Sequence, residues 1–347
     1  MNNGTEAHPH TESTFHMLST KNIMVTGAAG YIGGQICINL KDRGYNVIAV
    51  DLRRKDHLLG YYDEFLQNDI SSSLCYKLIN DYKPRAIIHC AGTSLVGPSL
   101  QNPENYFHNN VEKSHQLMNV IKNTSPSTRF IFSSSAAVYG VPESSLTEHH
   151  ATDPISPYGE SKLMVEKMLR WYYQAHGLNH VIFRYFNACG ADMYHRHGQE
   201  PGSTHIFARL FETAAEQDGI FTLNGMDYNT PDGTCVRDYV HVSDIADAHI
   251  HAIEKDLYGV YNISTSTGLS NLQIQTQVEN YLGKKLVTEI GPRREGDPDT
   301  LVAMADKLQK SGFNMRYNLY DIIESLYGWY GTHIYNNQRT LLDIQPS

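Results

Sequence analysis

Val25-Thr26-Gly27-Ala28-Ala29-Gly30-Tyr31-Ile32-Gly33 sets the frame for the whole chain. Three glycines at G-x-x-G-x-x-G spacing follow a β-branched run at 23–26 and open a helix-length amphipathic stretch at 31–43. Gly27 permits the tight turn, Gly30 lets backbone amides approach a pyrophosphate at the helix N-terminus, and Gly33 lets the helix lie close on the strand. Tyr31 and Ile32 contribute the first amides of that helix. Asp51 stands eighteen residues past Gly33, at the end of the second strand-like run. A carboxylate there accepts hydrogen bonds from an adenosine ribose and repels a 2′-phosphate. The turn points to a dinucleotide, and Asp51 to NAD rather than NADP, with Arg53 and Arg54 the opposing feature.

Beyond this turn, short β-branched runs alternate with amphipathic stretches, the pattern of βαβ units feeding a parallel sheet. Strands are expected at 23–26, 46–50, 85–90, 129–133 and 180–185, and helices at 31–43, 72–82, 102–122 and 158–176. The fold class is α/β, a doubly wound parallel sheet of the Rossmann type, assigned to 21–187 plus about 236–265. After Asn187 the alternation breaks into a loop-rich region with clustered Gly, Pro and His (188–202). A smaller, discontinuous α/β substrate lobe is assigned to 188–235 plus about 266–335, with helices near 271–281 and 320–330. Residues 240–241, a helix from 243 to about 255, and 260–263 read as a return to the sheet. Residues 1–20 lack periodicity and are expected to be a disordered tail, with a C-terminal tail at 336–347.

Composition narrows the partners. The 347 residues carry 28 Lys+Arg against 37 Asp+Glu, a net charge of −9, with no basic run longer than Arg53-Arg54-Lys55, which argues against nucleic acid. No stretch approaches the roughly 18 apolar residues of a membrane span, and 1–20 lacks the basic start and apolar run of a secretory signal. A cytoplasmic protein with no membrane segment is expected. Cys37, Cys75, Cys90, Cys189 and Cys235 are scattered without C-x-x-C spacing, and the 18 histidines lack carboxylate or Cys partners at metal spacing. Neither disulfides nor a metal is expected.

The glycine spacing resembles that of the short-chain dehydrogenase/reductase superfamily. The resemblance implies further cofactor contacts, and their counterparts are present. Asn68-Asp69-Ile70 follows the third-strand region, where the family places an Asp on the adenine. His89-Cys90-Ala91-Gly92 closes the fourth strand beneath the cofactor, and Asn109 sits in the following helix.

Ser133-Ser134-Ser135 ends the fifth strand, and Tyr158-Gly159-Glu160-Ser161-Lys162 opens the long helix after Pro157. Residues four apart share one helical face. A phenol with a pKa of about 10 is a poor base at neutral pH and needs a neighbouring cation, which Lys162 and the positive nicotinamide of NAD⁺ supply. The Ser135 hydroxyl can hydrogen-bond the substrate oxygen and shorten the proton path to Tyr158. Ser135, Tyr158 and Lys162 are therefore the candidate catalytic residues. This hydride chemistry leaves dehydrogenase, dehydratase, decarboxylase and epimerase open. Nucleotide-sugar dehydratases of the superfamily carry an acidic pair just after the catalytic hydroxyl, and the decarboxylating relatives usually keep a Glu there. This chain has Ala136-Ala137-Val138-Tyr139-Gly140, so elimination has no visible acid.

Six stretches in the same order make the resemblance more specific. The glycine turn, Phe130 to Ser135, Ser156 to Leu163, Arg184-Tyr185-Phe186-Asn187, Asp232 to Tyr239, and Arg293-Arg294-Glu295-Gly296-Asp297 are similar to the nucleotide-sugar 4-epimerases. The resemblance runs from about Asn22 to the helix near Tyr330. It implies tightly held NAD and inversion at C4 of a UDP-hexose (UDP-galactose to UDP-glucose) through a transient 4-keto sugar. It also implies a homodimer through a four-helix bundle built from 102–122 and 158–176. By carry-over, Asn187, Arg237, Arg294 and Asp297 hold the UDP part and Tyr185 touches the nicotinamide side. Two guanidinium groups can clamp a diphosphate. The chain departs from the best-known pattern at Ser94 (Lys), Ala137 (Thr), Ala188 (Pro), His205 (Asn, on the uracil side) and Asn224 (Phe). Leu301 falls where some members carry a bulky Tyr against the sugar, which leaves room for an N-acetyl group. The same machinery would serve 4-epimerases of a UDP-N-acetylhexosamine, UDP-uronic acid or UDP-pentose. A redox-sensing regulatory protein would keep the NAD turn but has no need of a base.

Overall fold

The computed structural model describes residues 21–141, 145–293 and 297–333. The tails expected at 1–20 and 336–347 lie outside the described residues. The strands are β1 (Asn22–Thr26), β2 (Asn46–Asp51), β3 (Glu64–Gln67), β4 (Ala86–His89), β5 (Arg129–Ser135), β6 (His180–Tyr185), β7 (Asn187–Cys189), β8 (Ile220–Asn224), β9 (Val236–His241), β10 (Gly259–Ile263), β11 (Gly268–Ser270), β12 (Val287–Gly291) and β13 (Thr300–Leu301).

Seven strands form one sheet in the order β10-β6-β5-β4-β1-β2-β3, every neighbouring pair parallel. Parallel strands need crossover helices, which cover both faces and make each strand apolar on both sides. Alternate residues accordingly enter two different cores. Ile23, Val25, Val47, Ile88, Ile131 and Phe183 share one cluster, whereas Met24, Ile48, Ile87, Phe130, Phe132 and Ile182 share the other. Strand order reverses between β1 and β4, and ligands of such sheets bind beyond the strand ends at that crevice.

Two expectations need correction. The helix expected over 102–122 is broken into Pro103–Tyr106, a π-helical turn at Phe107–Glu112, and Lys113–Thr124. The turn carries Asn110, whose buried amide bonds the backbone N–H of Thr93 at 2.8 Å, its carbonyl at 3.0 Å and Ser161 Oγ at 2.9 Å. A hydrophobic pattern does not register such a tertiary demand, and π turns concentrate at functional sites. The return to the large sheet is made by β10 alone. Residues 240–241 belong to β9, which pairs instead with β7, β11 and β13 in a smaller sheet. A short apolar run fits any buried strand and does not name its neighbour.

The small sheet grows from the large one: β7 begins one residue after β6, whose last residue, Tyr185, is paired with Ser135. A third apolar cluster, including Phe207, Phe211, Ile274 and Trp329, packs the helices of this part of the chain. No described helix is long and apolar enough to cross a membrane.

Candidate active site

The cleft at the strand-order reversal follows from the glycine turn. Gly27 adopts φ +69°, and a Cβ on it would stand 2.7 Å from the backbone nitrogen of Ala91, so the turn runs against the chain leaving β4. At Gly33 a Cβ would stand 2.1 Å from the Gly27 carbonyl oxygen, so the helix Tyr31–Asp42 presses directly on the turn. That helix has no side-chain cap at Gly30, which leaves its first amides, Tyr31 and Ile32 among them, as the donor set a pyrophosphate takes. Asp51 accepts the Ala29 N–H at 2.9 Å and the Arg53 N–H at 2.8 Å, bracing the turn from the end of β2.

Gly27, Gly30, Asp51, Asp69, Ile70, Ala91, Gly92 and Asn109 line one cleft. Eight of the expected cofactor residues are thus brought together, in a cradle whose amides and carboxylates fit a dinucleotide. Lys113 also lines it and was not anticipated, although it follows Asn109 by one helical turn. Its ammonium lies 2.6 Å from Asp69. Burial alone would raise the Asp69 carboxyl, but Lys113 and the Ser71 amide and hydroxyl outweigh it and hold the group below its ordinary value. The Tyr31 side chain is placed elsewhere: its hydroxyl donates to the Gly190 carbonyl at 2.6 Å, so only its backbone is available to a cofactor.

The long helix Pro157–His176 starts where its sequence dictates. Ser156 caps it by accepting the Gly159 N–H at 3.1 Å, and Pro157 fills the first position, where its missing N–H costs nothing. Tyr158 and Lys162 consequently stand in the first turn and one turn above it. Lys162 is buried and donates to the Ser133 carbonyl at 2.9 Å; its nitrogen lies 4.9 Å from the Phe132 ring centre and 5.9 Å from that of Tyr158. Burial pushes Lys162 down to about 8, against the opposing pull of Cys90 and Glu166. Ser135 Oγ accepts the Ala137 N–H at 3.2 Å and stands beside the Tyr158 phenol, whose pKa it lowers.

Desolvation is the largest influence on Tyr158. Burial raises the phenol above its ordinary value, Ser135 lowers it in part, and Tyr106 raises it further. Burial thus moves the two groups in opposite directions, the lysine down toward the neutral range and the phenol up. Tyr185, expected at the nicotinamide side, is buried, and its hydroxyl bonds Ser133 Oγ at 2.7 Å and His249 Nε2 at 2.6 Å. Ser133 Oγ in turn donates to Cys90 Sγ at 3.1 Å. Tyr185 thus supports the floor under Cys90.

The residues expected to hold the nucleotide gather round β9. Arg237 is buried opposite Leu269 and Leu301; it donates to the Val236 carbonyl at 2.8 Å and faces Asp297 at 3.2 Å. Asn187 pairs with Tyr239 across β7 and β9, and the Tyr239 phenol donates to Asn271 Oδ1 at 3.1 Å. His205 stacks on Phe207 at 5.9 Å and meets Tyr239 edge-on at 6.1 Å. Arg294 lies outside the described residues. Its neighbour Arg293 covers the Tyr228 ring at 3.9 Å and pairs with Asp299 at 2.7 Å. Among the described residues no group of three or more His, Cys, Asp or Glu is arranged to hold a metal.

A parallel sheet with a glycine-turn cleft at its reversal point and a Tyr-x-x-x-Lys helix beside a strand-end serine defines the nicotinamide-dependent Rossmann enzymes. Residues 23–264 match the NAD dependent epimerase/dehydratase family. A UDP-glucose 4-epimerase of Lactobacillus helveticus is 37% identical over 322 residues, covering 90% of this chain and 97% of the relative. Among solved structures, UDP-glucose 4-epimerase from Brucella ovis in complex with NAD superposes with a TM-score of 0.83 at 36% identity, covering 88% of this chain and 97% of that one. The Bifidobacterium longum enzyme, in complex with NAD⁺ and UDP, gives 0.82 at 32% identity, covering 90% and 98%. The chain belongs to the NAD dependent epimerase/dehydratase family, within the UDP-glucose 4-epimerases.

Proposed function

We propose that this chain interconverts UDP-galactose and UDP-glucose by inverting C4 through a transient 4-keto sugar, with NAD held throughout. The observation that carries the reading is Lys162, one helical turn above Tyr158, bonded to the Ser133 carbonyl at the end of β5 and standing beside Gly92 of the dinucleotide cleft, with Ser133 Oγ on Cys90 of the same cleft. Tyr158 takes the proton of the C4 hydroxyl and later returns one, and Ser135 hydrogen-bonds the same oxygen and shortens the transfer. When bound in the cleft, NAD⁺ would supply the acceptor for the C4 hydride, which returns to the opposite face of the 4-keto sugar and regenerates NAD⁺, and its positive charge would favour phenolate. Inversion requires the keto sugar to turn over about its diphosphate link, so the nucleotide must be anchored firmly and the hexose loosely. Buried Arg237 beside Asp297, together with Asn187, suits the first demand, and the modest Leu301 suits the second.

The test is to incubate purified protein with UDP-galactose and no added nicotinamide, and to follow the anomeric protons by NMR. UDP-glucose is expected to accumulate to equilibrium. A requirement for stoichiometric NAD, with build-up of an oxidised sugar, would make the chain a dehydrogenase.

The exposed apolar residues Met164 and Trp171 lie seven apart on the helix Pro157–His176, with Leu100 and Phe107 exposed on the preceding segments. They support a homodimer through these helices. Replacing both Met164 and Trp171 with Glu should halve the mass measured by light scattering; an unchanged mass would exclude this face. All five cysteines are free thiols, which suits a cytoplasmic location.

A further inference from the structure

Three consecutive serines at the end of β5 engage three successive positions of the long helix. Ser135 meets Tyr158, the Ser133 carbonyl takes Lys162, and the Ser134 hydroxyl donates to Glu166 at 2.5 Å. The first two contacts belong to the reacting groups. The third does not, yet Glu166 stands one turn beyond Lys162 and two beyond Tyr158, on the same buried side.

Its surroundings are unlike those of a surface helix pair. Glu166 and Arg184 are each about 6% exposed. Arg184, on β6, donates Nη2 to Glu166 Oε2 at 2.6 Å and Nε to both carboxylate oxygens at 3.1 and 3.3 Å. The guanidinium also lies 4.7 Å from the Tyr139 ring centre. A planar fork of this kind fixes direction as well as distance. One carboxylate therefore ties the helix to β5 and β6 at once, next to the residues that carry Ser135 and Tyr185.

We propose that Glu166 is a positioning residue for the epimerase reaction: clamped by Arg184 and Ser134, it sets the height of the helix against β5, and with it the placement of Tyr158 against Ser135 and of Lys162 against the cleft floor. The inference rests on the assignment of Tyr158 and Lys162 as the reacting pair.

The groups around Lys162 give the clamp an electrostatic consequence. Cys90 is pushed up to about 11 and His89 down to about 3, and Tyr158 and Tyr185 are both raised, all chiefly by burial. These four are neutral between pH 6 and pH 9. Arg184 keeps its charge, and Glu166 is the carboxylate that opposes the burial of Lys162. Removing that carboxylate charge lowers the lysine further, so its protonated form is lost at a lower pH.

The test compares wild type, Glu166→Gln, Glu166→Asp and the double variant Glu166→Leu/Arg184→Met as NAD-loaded full-length proteins. C4 inversion by the wild type is scored first, so failure of the functional assignment shows before any variant is read. Glu166→Gln should lose on the order of 10- to 100-fold in kcat, the cost of a misplacement near 1 Å, with KM within about threefold. The alkaline limb of its pH profile should move to lower pH, and Glu166→Asp should recover part of kcat. The double variant removes both buried charges and should regain thermal stability while kcat stays low. A Glu166→Gln enzyme with wild-type kcat and pH profile would overturn the proposal. So would a double variant whose activity returns in step with its melting temperature, since the pair would then serve stability alone.

Discussion

Tyr158→Phe is expected to slow C4 inversion by roughly 10²- to 10⁴-fold, while UDP binding and melting temperature should stay close to wild type. The size follows from the proton. General acid–base catalysis contributes roughly 10²- to 10⁴-fold, and no second group replaces the phenol. Ser135 is a hydroxyl with no base of its own, and Lys162 is tied to the Ser133 carbonyl. The selectivity follows from the packing. The Tyr158 ring meets Tyr106 edge-on at 6.3 Å, a contact phenylalanine keeps, and the nearby Ser135 hydroxyl retains the Ala137 N–H. The residues round β9 proposed to hold the nucleotide are untouched. Initial rates by NMR and UDP titration by calorimetry separate the two effects. Turnover within tenfold of wild type would remove Tyr158 as the proton acceptor. Loss of UDP binding would mean that the substitution acts through structure.

The contrast between Tyr158 and Glu166 shows what a sequence exposes. Tyr158, Lys162, Ser135, Asp51 and the glycines act through spacing along one element or through the order of neighbouring elements, and both are written into the chain. The alternation of β-branched runs placed all five expected strands, because a parallel sheet covered on both faces demands apolar residues at every position. Glu166 gains its meaning from Arg184 and Ser134, which are 18 and 32 positions away. Asn110 gains its own from Thr93 and Ser161, across a π turn that helical periodicity does not show. Polar residues of this kind look like solvated helix positions until the fold buries them. The partner of β9 was hidden for a related reason, since pairing depends on topology beyond the strand.

Gly33→Ala should have a large structural effect, although it adds one methyl to a helix. The new Cβ would stand 2.1 Å from the Gly27 carbonyl oxygen and 2.9 Å from its carbon, both backbone atoms of the turn. Non-bonded carbon contacts settle near about 3.5–4.0 Å, so helix and turn must part by more than 1 Å. The turn cannot yield alone. Gly27 is held by its positive φ and by Ala91, and its amide bonds the Val50 carbonyl at 2.9 Å. The helix cannot lift alone either, because Tyr31 is tied to Gly190 and the buried Gln35 to Asp192 at 3.0 Å. A destabilisation of about 4 kcal/mol or more, with loss of bound NAD, is the expected outcome. Gly30→Ala makes the control. Its Cβ would meet the same carbonyl at 3.1 Å, from ordinary extended backbone, so the fold should survive with a melting temperature within a few degrees. The added methyl stands at the head of the helix, where backbone amides must reach a pyrophosphate, so cofactor content should fall while the fold holds. Differential scanning calorimetry and NAD released on denaturation read the two properties separately. If Gly33→Ala kept both its melting temperature and its NAD, the close approach of helix and turn would not be what builds the cofactor site.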